Sequence, residues 1–356
     1  MPHAFHLARP LIFRMDAERA HRATISVLKS GLLPARRFVD PALETNVAGL
    51  SFLNPLGMAA GFDKNAEVPG ALLGLGFGFV EVGTLTPRAQ EGNPKPRIFR
   101  LKADRAVINR LGFNNDGIDR AIKRLRRRAY RAPGGEMIGG RGRIGVNVGA
   151  NKHSSDRIAD YVMGVEKAAG VADYLTVNIS SPNTPGLREL QSRDALSELL
   201  TRTLAARGGR DIPLFVKVAP DLSDGDVADI ADVARQSGVS GIIISNTTTD
   251  RPAHLKSRQR EEEGGLSGRP LTAPALARLK EFRQAVGPDL PLIGVGGISN
   301  ADDAYARIRA GASLIQLYTA MVYEGPGLPN RILKGLAAHL KADGFQCVAD
   351  AVGADL

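Results

Sequence analysis

Mainly apolar runs of four or five residues recur along the chain from residue 56 onward, and longer segments with helical periodicity separate them. Short apolar runs bounded by glycine, proline or polar residues are typical of buried strands. Alternation of such strands with helices predicts an α/β protein with a parallel sheet. The eight predicted strands are residues 56–60, 79–82, 144–147, 174–178, 214–218, 242–245, 292–295 and 314–317.

The segments between these strands predict the helices. Several begin with Asp, which suits an N-cap. Eight strands alternating with helices is the count of a closed (β/α)8 TIM barrel, and such a barrel occupies most of a chain of 356 residues as one domain. The predicted helices are residues 66–73, 116–130, 156–169, 194–206, 224–236, 273–286, 301–310 and 328–342.

The first forty residues differ from the rest of the chain. Residues 3–15 and 17–30 predict two short helices, with Asp16 as the N-cap of the second and Gly31 at its end. The second helix has apolar residues at helical spacing and basic residues elsewhere on its surface. Such a hairpin can lie in an anionic lipid surface or pack on the barrel as an extra helix pair. We therefore divide the chain into a helical hairpin, residues 1–40, and a barrel, residues 41–356.

Three further segments interrupt the alternation of strands and helices. Residues 44–47 and 50–53 predict a hairpin before the barrel, and residues 97–101 and 106–108 predict another between its second and third strands. Residues 248–270 follow the sixth strand and are rich in charge and glycine. They are long enough to form a mobile lid.

The chain is basic, with Lys+Arg 47 against Asp+Glu 37 and a net charge of +10. This charge favours an anionic partner, such as phosphate, carboxylate, nucleic acid or lipid headgroups, without choosing among them. The basic run at residues 124–128 has no interleaved aromatic residues and lies on an outer helix. We interpret it as a solvated face and expect no nucleic-acid partner.

Cysteine usage and hydropathy limit the cellular setting. Cys347 is the only cysteine, which excludes an internal disulfide and a cysteine metal site and indicates a reducing, cytoplasmic environment. No apolar stretch is long enough to cross a bilayer, and the first residues lack the features of a signal peptide. We therefore expect neither export nor a membrane span.

Polar and glycine residues follow every predicted strand, at the end of the barrel where such enzymes place their active sites. The most polar of these strand ends is residues 177–184, which hold two asparagines and two serines around Pro182. Taken alone, this composition is also that of an ordinary turn. Its repetition at the other strand ends favours an active site.

The kinds of side chain at these strand ends indicate what the site binds. Glycines at 264–268 and after the seventh strand, with a Tyr-Thr pair after the eighth, lie where barrels bind phosphate through backbone N–H groups. Lys64 and Lys217 end different strands and bring positive charge to one mouth. No histidine lies at a strand end, so we expect neither histidine base chemistry nor a metal site. Six asparagines offer the paired donors and acceptors that suit a cyclic imide or pyrimidine, namely Asn109, Asn114, Asn147, Asn178, Asn183 and Asn246.

These motifs resemble those of the class 2, quinone-reducing dihydroorotate dehydrogenases. The resemblance extends from the N-terminal helices to the last barrel strand, and it rests on residues 59–65, 109–115, 177–184, 264–271 and the Gly296-Gly297 turn. It implies an FMN-containing barrel that oxidises dihydroorotate to orotate in the synthesis of UMP and passes the electrons to a membrane quinone. No obligate protein partner is evident.

The resemblance also implies roles for individual residues. Ser181 would be the base that removes the substrate's C5 proton, while hydride leaves C6 for the flavin N5; Ser180 is the alternative, although only one of the two can face the ring. Lys217 would stabilise negative charge on the reduced flavin, and Ser245 keeps the hydroxyl of the threonine usual in the family. The substrate would be bound by Lys64, Asn109, Arg110, Leu111, Gly112, Phe113, Asn114, Asn178, Asn183, Asn246 and Thr247. The flavin would be bound by Ala60, Gly61, Lys64, Thr84, Asn147, Asn178, Lys217, Ser245, Gly268, Gly297, Tyr318 and Thr319.

In the resembled class, the N-terminal hairpin associates with the membrane and forms a quinone tunnel, where His21 and Arg100 match the family's histidine and arginine. This implies a peripheral protein on the cytoplasmic face of the bacterial inner membrane, with an anionic lipid surface as partner. The alternatives are a class 1 dihydroorotate dehydrogenase and an RNA dihydrouridine synthase, but both use a catalytic cysteine that the Ser181 turn lacks. A non-enzymatic RNA-binding or scaffold barrel would hold no flavin.

Overall fold

A computed structural model describes residues 2–33, 37–129 and 142–356. The strands are β1 (Thr45–Val47), β2 (Leu50–Phe52), β3 (Leu56–Met58), β4 (Phe79–Leu85), β5 (Ile98–Leu101), β6 (Ala106–Asn109), β7 (Arg143–Val148), β8 (Tyr174–Asn178), β9 (Leu214–Val218), β10 (Gly241–Ile244), β11 (Gly265–Gly268), β12 (Leu292–Val295) and β13 (Leu314–Leu317). Eight of them are parallel and form a closed barrel in the order β10-β12-β13-β3-β4-β7-β8-β9. Each of the eight overlaps one predicted strand, so the predicted (β/α)8 barrel is confirmed.

Helices surround the barrel and flank its mouth. The predicted helix at residues 66–73 is shorter than expected, because Ala66 has a left-handed backbone (φ 56°) and the Asp63 carboxylate accepts the N–H groups of Glu67 and Val68. The predicted end of another helix, at Tyr130, lies outside the described residues. The helices are α1 (Pro2–Ile12), α2 (Ala17–Lys29), α3 (Pro69–Gly74), α4 (Ile118–Ala129), α5 (Arg157–Ala168), α6 (Arg193–Ala205), α7 (Asp224–Ser237), α8 (Thr272–Val286), α9 (Ala301–Arg309), α10 (Thr319–Glu324) and α11 (Leu328–Ala342).

Aromatic rings fill the lower barrel, at the N-terminal ends of its strands. Phe79, Tyr174 and Phe215 make edge-to-face contacts, with ring centroids 6.2 and 5.6 Å apart. Glycine must face these rings, since a Cβ at Gly57 or Gly145 would lie within 2.3 Å of a ring atom. The β1–β2 hairpin closes this end of the barrel. The polar strand ends lie at the opposite end.

A small antiparallel sheet stands beside the mouth of the barrel. The predicted hairpin is present as β5 and β6, and β11 joins it as a third strand, with Leu266 paired to Ile108. The backbones of Thr248 and Leu266 also exchange two hydrogen bonds, of 3.1 and 2.8 Å. The end of segment 248–270 is therefore a strand of this sheet, and the start of the segment is bonded to that strand. The expected lid is thus anchored at the hairpin, a pairing that its glycine-rich sequence concealed.

The N-terminal helices lie against this hairpin. Asp16 caps α2 as predicted, because its carboxylate accepts the N–H groups of Glu18 and Arg19 at 3.1 and 2.9 Å. Ile25 and Leu28 of α2 are buried in the main core. In the described part of the chain, no helix combines the length and apolar character that crossing a membrane requires.

Candidate active site

A cavity of about 570 Å³ lies at the C-terminal ends of the barrel strands and continues to α1 and α2. It contains nearly all the residues singled out from the sequence. Ser181, His21, Arg100 and every residue predicted for the substrate or the cofactor line it, apart from Arg110 and Asn147. The fold therefore brings together strand ends that are far apart in the sequence.

Asn147 lies below the cavity rather than in its wall. Asn147 lies two residues after Gly145, which faces the Tyr174 ring inside the barrel, so its side chain also points into the barrel and is fully buried. The Asn147 amide donates to Glu81 at 2.7 Å, while its oxygen accepts from Thr84 Oγ1 at 2.6 Å and from Asn178 Nδ2 at 3.2 Å. In this structure Asn147 supports two lining residues.

Arg110 also points away from the cavity. Its guanidinium lies over the ring of Phe99, 4.6 Å from the centroid, and its Nη1 donates to the Glu262 carboxylate at 2.9 Å. The side chain thus ties the 248–270 segment to the hairpin, and in this structure only its neighbours in the 109–115 motif line the cavity.

The two serines after β8 point to different sides, as the alternation predicts. Ser180 is fully buried, and its Oγ donates to Asn178 Oδ1 and accepts from Asn246 Nδ2, both at 2.8 Å. Ser181 faces the cavity, where its Oγ accepts the N–H of Asn183 at 3.2 Å. Ser180 therefore orients two asparagines, and Ser181 is the serine that can meet a ligand.

Two buried ammonium groups reach the cavity. Lys64 Nζ donates to the carbonyl of Gly61 at 2.7 Å, and burial lowers the Lys64 pKa to about 8. Burial also lowers the pKa of Lys217, while the charge of Glu81 opposes that effect. Because a buried cation is costly without a counter-charge, both lysines favour an anionic or electron-rich ligand.

Glycine lets the backbone approach the cavity beside the small sheet. A Cβ at Gly268 would lie 2.5 Å from the Arg105 carbonyl oxygen, and one at Gly297 would lie 2.4 Å from Thr272 backbone atoms. Both glycines have positive φ, of 97° and 73°. These positions accept only glycine, and such close backbone turns are what a bound phosphate requires.

The cavity becomes aromatic toward the N-terminal helices. The ring of His21 contacts Phe62 edge-on at 5.2 Å, and Phe62 contacts Tyr318 at 5.5 Å, so three rings connect α2 with the barrel mouth. Burial, together with the charge of Lys64, lowers the His21 pKa to about 3. His21 is therefore a neutral imidazole at pH 7.

Arg100, on β5, fixes the end of α1. Its guanidinium donates to the carbonyls of Ile12, at 3.2 Å, and Met15, and it lies 4.9 Å from the centroid of the Phe13 ring. It thereby shapes the cavity wall between the hairpin and the helices.

Sequence reasoning missed several residues around this site. Phe62 connects His21 with Tyr318, and Glu81 and Gln316 form a polar layer beneath the cavity, where Gln316 Nε2 donates to Glu81 at 2.8 Å. The one signal for Glu81 was a single charged residue within an otherwise apolar predicted strand.

Comparison with known proteins assigns the family. A sequence model described as "Dihydroorotate dehydrogenase" matches residues 42–340. The chain belongs to the dihydroorotate dehydrogenase family. Members of this family depend on a flavin.

Curated relatives cover the whole chain. It is 57% identical over 351 residues to the dihydroorotate dehydrogenase (quinone) of Erythrobacter litoralis, and 56% identical over 351 residues to that of Novosphingobium aromaticivorans; each match covers 99% of both chains. The Brucella ovis protein of the same name is 55% identical over 350 residues, covering 97% of this chain and 94% of the relative.

Solved structures agree with the fold. A ligand-free DHODH from Eimeria tenella superposes with a TM-score of 0.91 at 43% identity, covering 96% of this chain and 99% of that one. The complex of the Eimeria enzyme with ferulenol gives 0.90 at the same identity and covers 96% of each chain. The likeness thus extends over nearly the whole chain.

Proposed function

We propose that this chain oxidises (S)-dihydroorotate to orotate in de novo pyrimidine synthesis, with FMN as its cofactor and a membrane quinone as electron acceptor. The observation that carries the proposal is one cavity in which Ser181, Lys64 and Lys217 share the barrel mouth and which continues to His21 on α2. The names of the curated relatives, which are quinone dihydroorotate dehydrogenases, support both the substrate and the acceptor.

The residues present fit FMN. The volume of about 570 Å³ lies within the range of about 300–1,000 Å³ usual for small-molecule sites. The glycine positions Gly268 and Gly297, which a Cβ would fill, are suited to the phosphate. Lys217 and Thr84 line the inner wall, where an ammonium and a hydroxyl can meet the polar edge of a flavin ring. Bound FMN would supply a two-electron acceptor.

The asparagines suit the pyrimidine and Lys64 suits its carboxylate. Among the described residues, Asn114 Oδ1 is buried without a hydrogen-bond partner, so an N–H of the substrate would satisfy it. Asn246 is held in place by Ser180, and Asn183 follows Ser181 in the same turn. A cyclic substrate between these amides would be oriented from several sides.

Ser181 is the proposed base for the C5 proton. It lies in the cavity wall and is 5% exposed. A serine hydroxyl is weakly basic, so proton removal requires a hydrogen-bond path that carries the proton onward as it arrives. The N–H of Asn183 donates to Ser181 Oγ at 3.2 Å, which favours one orientation of that oxygen.

We propose that residues 1–40 form a membrane-associating subdomain and that residues 41–356 form the FMN barrel. Large apolar side chains of α1 remain exposed, with Leu7 79% and Leu11 64% accessible. Their spacing of four residues places them on one helix face. This face would rest in an anionic lipid surface and receive quinone from it, on the cytoplasmic side of a bacterial inner membrane.

Exchanging each serine of the pair for alanine tests the base assignment. Ser181→Ala should keep bound FMN and slow flavin reduction by dihydroorotate at least about a hundredfold, the usual size of a base contribution. Ser180→Ala, the matched control, should mainly raise the KM for dihydroorotate, because it loosens Asn178 and Asn246. Anaerobic rapid mixing measures both, and near-native reduction by Ser181→Ala would exclude it as the base.

A further inference from the structure

One acidic side chain lies in the barrel beneath the proposed flavin site. The eight barrel strands contain four titratable residues: Glu81, Tyr174 and Lys217 in the interior, and Arg143, which bonds to Asp173 at the outer end of its strand. Glu81 is fully buried. The proposed chemistry gives this carboxyl group no role, although it costs free energy to bury.

Donors converge on both carboxylate oxygens of Glu81. Asn147 Nδ2 donates to Oε1 at 2.7 Å. Gln316 Nε2 and the Tyr174 hydroxyl both donate to Oε2, at 2.8 and 3.2 Å. Both oxygens of Glu81 therefore serve as acceptors for side chains of neighbouring strands.

The hydrogen bond from Asn147 to Glu81 sets the donor and acceptor roles in a longer chain of side-chain hydrogen bonds. With its amide committed to Glu81, Asn147 can only accept from Thr84 and Asn178. Asn178 then presents its own oxygen to Ser180, which in turn accepts from Asn246. Three of these residues, Thr84, Asn178 and Asn246, line the cavity, so their orientation depends on an acceptor beneath it.

Lys217 is the buried cation of the same barrel layer. It follows Phe215 by two residues on β9, as Glu81 follows Phe79 on β4, so both point inward above the aromatic rings. Strands β3, β10, β12 and β13 contain no titratable residue, and the polar residue that β7 contributes to the interior is the neutral Asn147. Glu81 and the neutral Tyr174 are therefore the titratable groups that face Lys217 within the barrel.

We propose that Glu81 is a positioning residue for the flavin site. Its carboxylate acts as the counter-ion that keeps Lys217 protonated, and it is the terminal acceptor that fixes the amide orientations of Asn147 and Asn178. The inference deepens the proposed function and rests on it. Glu81 touches neither substrate nor cofactor in this role and acts through its two neighbours.

The test compares Glu81→Gln with Tyr174→Phe, both reconstituted with FMN. Glutamine offers one acceptor where Asn147 and Gln316 need two, so the FMN dissociation constant should rise at least tenfold. Tyr174→Phe removes one donor and keeps the carboxylate, so its FMN affinity should stay near native.

The flavin midpoint potential, measured across about pH 6 to 9, provides the second readout. At the acid end of this range, Glu81→Gln lacks a negative charge near the flavin, so its midpoint potential should be higher than the native value. The expected rise is at least about 30 mV, which is a tenfold shift toward the reduced flavin for two electrons. As pH rises, Lys217 should lose its proton in Glu81→Gln, and the potential should bend below the native curve. A Glu81→Gln curve parallel to the native one, whether displaced or not, overturns the pairing with Lys217.

A double variant keeps the inference testable if Glu81→Gln does not fold. Removing both charges of a buried pair costs less than removing one. Glu81→Gln with Lys217→Met should therefore be more stable to urea than Glu81→Gln alone, and equal or lower stability overturns the proposal. Native protein that binds FMN but is not reduced by dihydroorotate would instead contradict the proposed function, because the potential measurements need no substrate.

Discussion

Replacing Glu18 by glutamine tests how the N-terminal helices are held against the barrel. Glu18 of α2 accepts two hydrogen bonds from Arg97, at 2.8 and 3.0 Å, and both residues are buried. Arg97 also donates to the carbonyls of Glu91 and Asn93, at 2.6 and 2.8 Å. The variant would leave a buried guanidinium with neutral acceptors only.

The loss of stability in Glu18→Gln can be given a magnitude, because the Glu18–Arg97 ion pair is buried. Breaking a buried ion pair by removing one partner costs about 3–5 kcal/mol. Because Arg97 keeps its two carbonyl acceptors, we expect the lower value, about 3 kcal/mol. A matched control is Glu67→Gln, which breaks the exposed Lys29–Glu67 pair (2.6 Å) between α2 and the barrel. That pair should contribute no more than about 1 kcal/mol.

Urea unfolding at neutral pH, followed by circular dichroism, measures both losses. The hydrogen bond from Arg97 lowers the Glu18 pKa below its ordinary value of 4.5. Its stabilisation is therefore complete above that value and is lost as the pH falls through the lower folded-state pKa. The difference in the free energy of unfolding between native protein and Glu18→Gln should therefore become smaller in acid. Equal losses of stability in Glu18→Gln and Glu67→Gln, or a difference that does not change with pH, would refute the reasoning.

Three further results are expected. Orotate affinity should be constant below about pH 8 and fall by up to about tenfold per pH unit above it, since the Lys64 pKa is about 8 and its ammonium holds the anion; Lys64→Met should bind weakly with a flat profile, and calorimetry that finds the native profile flat would contradict this. Arg100→Lys, which cannot donate to two carbonyls in the same way, should raise the KM for quinone with little effect on flavin reduction; an unchanged KM would remove Arg100 from the quinone site. Leu7→Ser with Leu11→Ser should weaken binding to anionic vesicles at least about tenfold in a sedimentation assay, and equal binding would leave the exposed face of α1 without this role.

The barrel could be predicted from the sequence because each strand is a short apolar run with a polar end. The same logic located the cavity, since parallel strands place their carboxyl ends together. Alternation also predicted that only one of Ser180 and Ser181 faces the site, because neighbouring residues in an extended segment face opposite sides. These inferences depend on local pattern and on the geometry of the barrel. The choice of Ser181 came from the family resemblance.

What the sequence could not show depends on contacts between distant segments. Asn147 was placed at a strand end facing the site, but its side chain is held inside the barrel by Glu81, Thr84 and Asn178 of other strands. The direction of Arg110 is set by Glu262, more than a hundred residues away. The glycine-rich β11 becomes a strand only because β6 offers it a free edge. Local composition does not report such partners.

The most direct test of the proposed function is an anaerobic absorbance spectrum of the purified protein, recorded before and after dihydroorotate and again after a quinone. We expect a flavin band that bleaches with dihydroorotate and returns with quinone. A flavin band that dihydroorotate leaves unchanged, or a protein that cannot be reconstituted with FMN, would contradict the account.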